Sequence, residues 1–102
     1  MKIVRVTYST KPEYVEHNRS NISKVMVDLR EIGNAGLFYH VCLGADGVSF
    51  THQAFFDSDE TEQVLLTLPS FIQFQRELKA GGLVTPPKQE LLSLVGSSKE
   101  IF

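Results

Sequence analysis

Residues 38–56 read FYHVCLGADGVSFTHQAFF. Two runs rich in aromatic and β-branched residues flank a short segment of glycine and aspartate, the pattern of a β-hairpin. The strands are predicted as Leu37–Leu43 and Val48–Phe56. The turn Ala45-Asp46-Gly47 suits a three-residue loop with glycine in the left-handed position. That register sets Cys42 opposite Phe50 and His40 opposite His52, so both histidines and the cysteine share one side of the sheet. A two-residue or four-residue loop moves the two histidines to opposite faces, because side chains alternate along a strand.

Upstream of the hairpin, Lys2 to Tyr8 has the composition of a strand. Thr10-Lys11-Pro12-Glu13 follows with capping-box spacing and a proline in the tolerated first turn. Val15, Ile22, Val25, Met26, Leu29 and Ile32 then recur at helical spacing, which predicts a long amphipathic helix. Gly33-Asn34-Ala35-Gly36 stops it, since glycine and asparagine accept the left-handed backbone at a helix end. Downstream, Asp57-Ser58-Asp59-Glu60 caps a short helix, with its acids at the positive end of the helix dipole. Pro69 interrupts that helix, and Phe71, Phe74 and Leu78 form the apolar side of the next turns, which end at Gly81-Gly82. Thr85-Pro86-Pro87 leads into a last strand, Glu90 to Val95. The order β-α-β-β-α-β predicts an α+β, ferredoxin-like sandwich: a four-stranded antiparallel sheet with helices on one face.

The 102 residues make one domain spanning 1–102, with 42% hydrophobic and 22% charged content and a net charge of −2. Lysines and arginines are scattered, so nothing tracks phosphates, and no nucleic-acid partner is expected. No apolar run approaches the ~20 residues needed to cross a bilayer. The single cysteine and the absence of a signal-like start point to the cytoplasm. Glycine-rich phosphate loops, dinucleotide fingerprints and nucleophile elbows are missing.

Large apolar residues fall on both faces of the predicted strands. Val4, Val6 and Tyr8 oppose Ile3, Tyr39 and Val41 oppose Phe38 and Cys42, and Leu91 and Val95 oppose Leu92 and Leu94. A second apolar sheet face is expected to be buried against a copy of itself, giving a homodimer.

The segment Ala54-Phe55-Phe56-Asp57-Ser58-Asp59-Glu60, the step Leu68-Pro69-Ser70-Phe71-Ile72-Gln73-Phe74, and Pro86-Pro87 before an apolar strand resemble the dimeric α+β barrel superfamily, within it the antibiotic-biosynthesis-monooxygenase-like group. The resemblance spans the chain. It implies paired sheets forming a barrel, with a small-molecule pocket between each sheet and its helices. It also implies either a cofactor-independent monooxygenase acting on a small aromatic or quinone-like substrate, or a non-catalytic ligand-binding or stress-related protein. Haem-degrading members rely on Asn, Trp and His where this chain carries Thr7, Phe56 and Gln75, and it has no tryptophan. Haem degradation is therefore disfavoured.

Three roles fit the hairpin histidines. They are zinc or copper ligands together with Cys42, proton acceptors beside Tyr39 or Tyr8, or neutral groups hydrogen-bonded within a packed sheet. The metal role lacks an evident acid or third histidine. On the enzyme reading no tightly bound cofactor is expected, and His40 or His52 is the proton acceptor. Thr7 and Tyr39 then orient the substrate, Phe56 stacks on it, and Asn18 and Phe74 complete the pocket.

Overall fold

The computed structural model describes residues Met1–Phe102. Strand β1 (Lys2–Ser9) leads through a short 3-10 turn (Pro12–Tyr14) into helix α1 (Val15–Ile32). Strands β2 (Leu37–Leu43) and β3 (Ser49–Phe56) form the hairpin. Helices α2 (Asp59–Leu66) and α3 (Pro69–Glu77), a π-helical turn (Leu78–Gly82) and strand β4 (Lys88–Leu92) complete the chain. The strands pair in the order β2-β3-β1-β4, every pair antiparallel. This is the expected ferredoxin-like α+β arrangement, and no helix is long and apolar enough to cross a membrane.

Helix boundaries follow local chemistry. Gly33 ends α1 in the left-handed conformation at φ 65°, where a side chain would be strained. Ser58 caps α2, its hydroxyl accepting the Thr61 N–H, and Pro69 opens α3. The predicted capping box at Thr10 does not form. Thr10 is fully buried as an extension of the sheet, bridged to Leu83, with its N–H donating to the Val48 carbonyl at 3.0 Å. Its hydroxyl donates to the Lys11 carbonyl at 3.1 Å, and no side chain caps the 3-10 turn.

One residue of loop length changes the hairpin. Leu43 pairs with Phe50, Val41 with His52 and His40 with Gln53. The Gly44 N–H donates to the Ser49 carbonyl, closing a four-residue loop rather than three. Asp46 Oδ1 accepts both the Val48 and Ser49 N–H groups at 3.0 and 2.9 Å, holding Val48 out of the ladder. The expected register is thereby shifted, and His40 and His52 lie on opposite faces.

The last strand also differs from expectation, running Lys88–Leu92 instead of Glu90–Val95. Leu92 already pairs with Ile3, near the start of β1, so later residues have no partner strand and Val95 is fully exposed.

All helices cover one face. Tyr8, Phe50, Ala54 and Phe56 from the sheet pack with Val25, Leu65, Phe71, Phe74 and Leu78 from above. Burial of this apolar surface is the main stabilising term. The outer face is less apolar than expected. Arg5, Thr7, His40, Thr51, Gln53 and Glu90 occupy it, and large apolar side chains gather at one end only, at Ile3, Phe38, Phe55 and Leu92. Phe38 is 45% exposed there and stacks on buried Phe55.

Candidate active site

His52 projects from the middle of β3 onto the helix-covered face, directly between Val6 of β1 and Val41 of β2. Valines are too short to cover an imidazole, and the diagonal neighbours close over it instead. The Tyr8 hydroxyl lies 2.7 Å from Nε2 and the Tyr39 hydroxyl 2.5 Å from Nδ1. The diagonal separation across a strand pair is within reach of long aromatic side chains. From α1 above, Asn18 Nδ2 donates to the Tyr8 oxygen at 2.9 Å. Phe74 lies over the imidazole, ring centres 5.4 Å apart, and Phe71 meets Tyr39 edge-on.

Burial controls the ionisation of this row. His52 is only 5% exposed, and desolvation pulls its pKa from 6.5 down to about 4. Burial raises both tyrosines above their ordinary value; at Tyr8 the Asn18 hydrogen bond works in the opposite direction. At neutral pH the row is therefore uncharged.

A neutral imidazole has one N–H and one acceptor nitrogen. If Tyr8 donates to Nε2, then Nδ1–H donates to the Tyr39 oxygen and the Tyr39 proton is free. With the other tautomer Tyr39 donates to Nδ1, and the Tyr8 proton is free. Either way one phenolic proton remains for a ligand, and a concerted shift moves that donor from one end of the row to the other.

The row opens on a cavity of about 660 Å³ between the sheet and α2 and α3, within the usual range for small-molecule sites. Tyr8, Tyr39 and His52 line it, with Val4, Val6, Phe56, Phe71 and Phe74 as apolar walls. Lys2, Glu62, Gln75, Lys79 and Gln89 also line it. Tyr39 also borders a second hollow of about 470 Å³ beneath the end of α1, lined by Met26, Leu29, Arg30 and Phe38.

Of the side chains singled out from the sequence, His52, Tyr39, Phe56 and Phe74 converge on the main cavity. Asn18 stands one hydrogen bond behind them, wholly buried, with Oδ1 unpartnered. His40 and Thr7 do not join them. Both project to the outer face, where His40 packs against Phe38 and Phe55. Exposed Cys42 shares that face, so the ligand set His40, Cys42 and His52 is divided by the sheet, and no three His, Cys, Asp or Glu side chains cluster as a metal site requires. The full role of Tyr8 is legible only from parity: Tyr8 and His52 occupy the same face once β1 and β3 pair. The polar residues Gln75, Lys79 and Gln89 come from elements whose juxtaposition is tertiary.

No protein-family model matches the chain, and no curated protein matches it either. Solved structures do match. A Mycobacterium tuberculosis protein, Rv0793, superposes with a TM-score of 0.78 at 14% identity, over 96% of this chain and 98% of that one. An antibiotic biosynthesis monooxygenase superposes with a TM-score of 0.77 at 12% identity, over 94% of this chain and all of the other. A variant of SnoaB from Streptomyces nogalater, a cofactor-independent oxygenase, gives a TM-score of 0.63 at 13% identity, over 97% and 98%. At these identities the likeness is one of fold: the chain is built as the antibiotic biosynthesis monooxygenase structures are.

Proposed function

We propose that the protein is a cofactor-independent oxygenase of small electron-rich aromatics, phenols with a free para C–H, acting in the cavity of about 660 Å³. The observation that carries this reading is the buried Tyr8–His52–Tyr39 row, a proton path ending in a cavity walled by aromatic rings. The fold shared with a cofactor-independent oxygenase supports it.

A phenolic substrate donates its proton to the oxygen of the tyrosine whose hydroxyl donates to His52, and that tyrosine passes its own proton to the acceptor nitrogen of the imidazole. Against a histidine held near 4, taking a proton from an ordinary phenol costs roughly 8 kcal/mol. That is affordable within the barrier of an enzyme turning over a few times per second, roughly 17 kcal/mol. Attraction between the new phenolate and imidazolium in a dry cavity offsets part of it. The anion transfers one electron to dioxygen, and the radical pair combines at the para carbon to form a C–O bond. The peroxide anion recovers the proton from His52. Loss of the carbon's hydrogen with O–O cleavage releases water and leaves the quinone. Overall, a phenol with a free para C–H plus O₂ gives quinone plus H₂O.

One observation favours the alternative, a non-catalytic carrier of the same ligands: the low basicity of His52 suits a neutral hydrogen-bonding partner better than a base. Oxygen uptake with 1-naphthol, measured on the wild type and His52→Gln, separates the two. An enzyme consumes oxygen and loses at least a hundredfold in rate on substitution. A carrier consumes none and keeps its affinity within a few-fold.

We further propose that the protein works as a cytoplasmic homodimer, the apolar end of the outer face around Phe38 and Leu92 packing on its copy. Exposed Phe38, beside Ile3, Phe55 and Leu92 at the apolar end of a face that is polar elsewhere, supports this.

A further inference from the structure

The charge distribution around the main cavity is uneven. Its lining holds two cations, Lys2 and Lys79, and one anion, Glu62. Lys2 Nζ lies 2.9 Å from Glu62 Oε2 and 3.1 Å from Oε1, so this pair neutralises itself. Lys79 has no such partner: no carboxylate stands within ion-pair distance of it. The nearest acid in sequence, Glu77, is fully engaged elsewhere. It accepts from His17 at 2.5 Å, Asn21 at 3.2 Å and Gln73 at 2.8 Å, towards α1 and along its own helix. Lys79 follows buried Leu78 directly, which anchors the backbone at the cavity wall while the ammonium stays in solvent. Gln75 and Gln89, two neutral amides, also line the cavity. The other polar groups of the lining, the Tyr8–His52–Tyr39 row, carry no charge at neutral pH. The chain as a whole is anionic, at −2, so a general field does not account for a cation here.

We infer that the ligand of this cavity is an aromatic carboxylic acid, its hydroxyl hydrogen-bonded by the tyrosine–histidine row and its carboxylate held at the rim by Lys79. Lys79 is then a specificity residue, selecting acidic aromatics over neutral ones of the same ring size. This rests on the cavity being an aromatic-binding site and adds the class of substituent it selects. The Lys2–Glu62 pair supports the same assignment by removing the one carboxylate of the lining that would repel an acid.

The test compares 1-hydroxy-2-naphthoate with 1-naphthol, titrated into the full chain by calorimetry or ligand-observed NMR at neutral pH and low salt. The expected preference for the acid is about fivefold, the upper end for a solvent-exposed ion pair, falling as salt is added. Lys79→Gln brings the ratio of the two affinities to about one, and Lys79→Glu inverts it. Lys88→Gln, on the outer face, keeps the wild-type ratio. Equal affinities in the wild type, or a preference that survives Lys79→Gln, overturn the inference while leaving the aromatic cavity intact. Failure of both compounds to bind overturns the cavity reading together with it.

Discussion

Lowering the pH from 7 to 5 should destabilise the protein through His52. In the folded chain this imidazole resists protonation down to about pH 4, because burial disfavours the cation, whereas in the unfolded chain it protonates near the ordinary 6.5. The unfolded state therefore binds more protons throughout that interval, and stability falls as pH falls from about 6.5 towards 4. The difference between the two values costs about 2 kcal/mol at pH 5 and very little at pH 7. Asp46 and Glu77, whose carboxyls are held low by hydrogen bonds, stay ionised in the fold across this window and lose their contribution only at more acid pH. Urea denaturation at pH 7 and pH 5 should show the midpoint dropping by about 1 M for a domain of this size. In His52→Gln, where nothing titrates at this position, most of that drop should disappear. Equal pH dependence in the two proteins would refute a buried, neutral His52.

Other substitutions test separate parts of the structure. Tyr39→Phe leaves Nδ1 of His52 without its partner; it should cost about 1–3 kcal/mol in thermal or urea unfolding and lower kcat with 1-naphthol at least tenfold. Gly82→Ala places a methyl group 2.5 Å from the Tyr14 ring, and this overpacking should cost about 1–3 kcal/mol, read from the melting temperature. Phe38→Glu puts a charge into the apolar end of the outer face; light scattering should show the wild type at twice the 11.4 kDa chain mass and the variant as a monomer that keeps its fold by circular dichroism.

The element order is legible in the sequence because its punctuation is local. A left-handed glycine at Gly33, a serine cap at Ser58 and a proline at Pro69 act within a few residues of where they stand. What escaped depends on longer-range geometry. Thr10 and Glu13 have capping-box spacing, but the bridge to Leu83 and the bond to Val48 claim the threonine backbone first. The end of β4 at Leu92 is set by where β1 begins, which its own residues do not record. The hairpin turned on a single residue: the Asp46 carboxylate captures two N–H groups and lengthens the loop by Val48. Because strand faces alternate, that one residue carries His40 and Cys42 away from His52. The site is thus half legible. His52, Tyr39, Phe56 and Phe74 lie on the cavity wall, whereas Thr7 and His40 do not, and Tyr8 takes the place expected of a second histidine.

The most direct test of the oxygenase account is turnover of 1-naphthol under ¹⁸O₂, with the product analysed by mass spectrometry. A quinone carrying one ¹⁸O atom is expected, formed at a rate that depends on His52. Absence of product, an unlabelled quinone, or an undiminished rate in His52→Gln would contradict it.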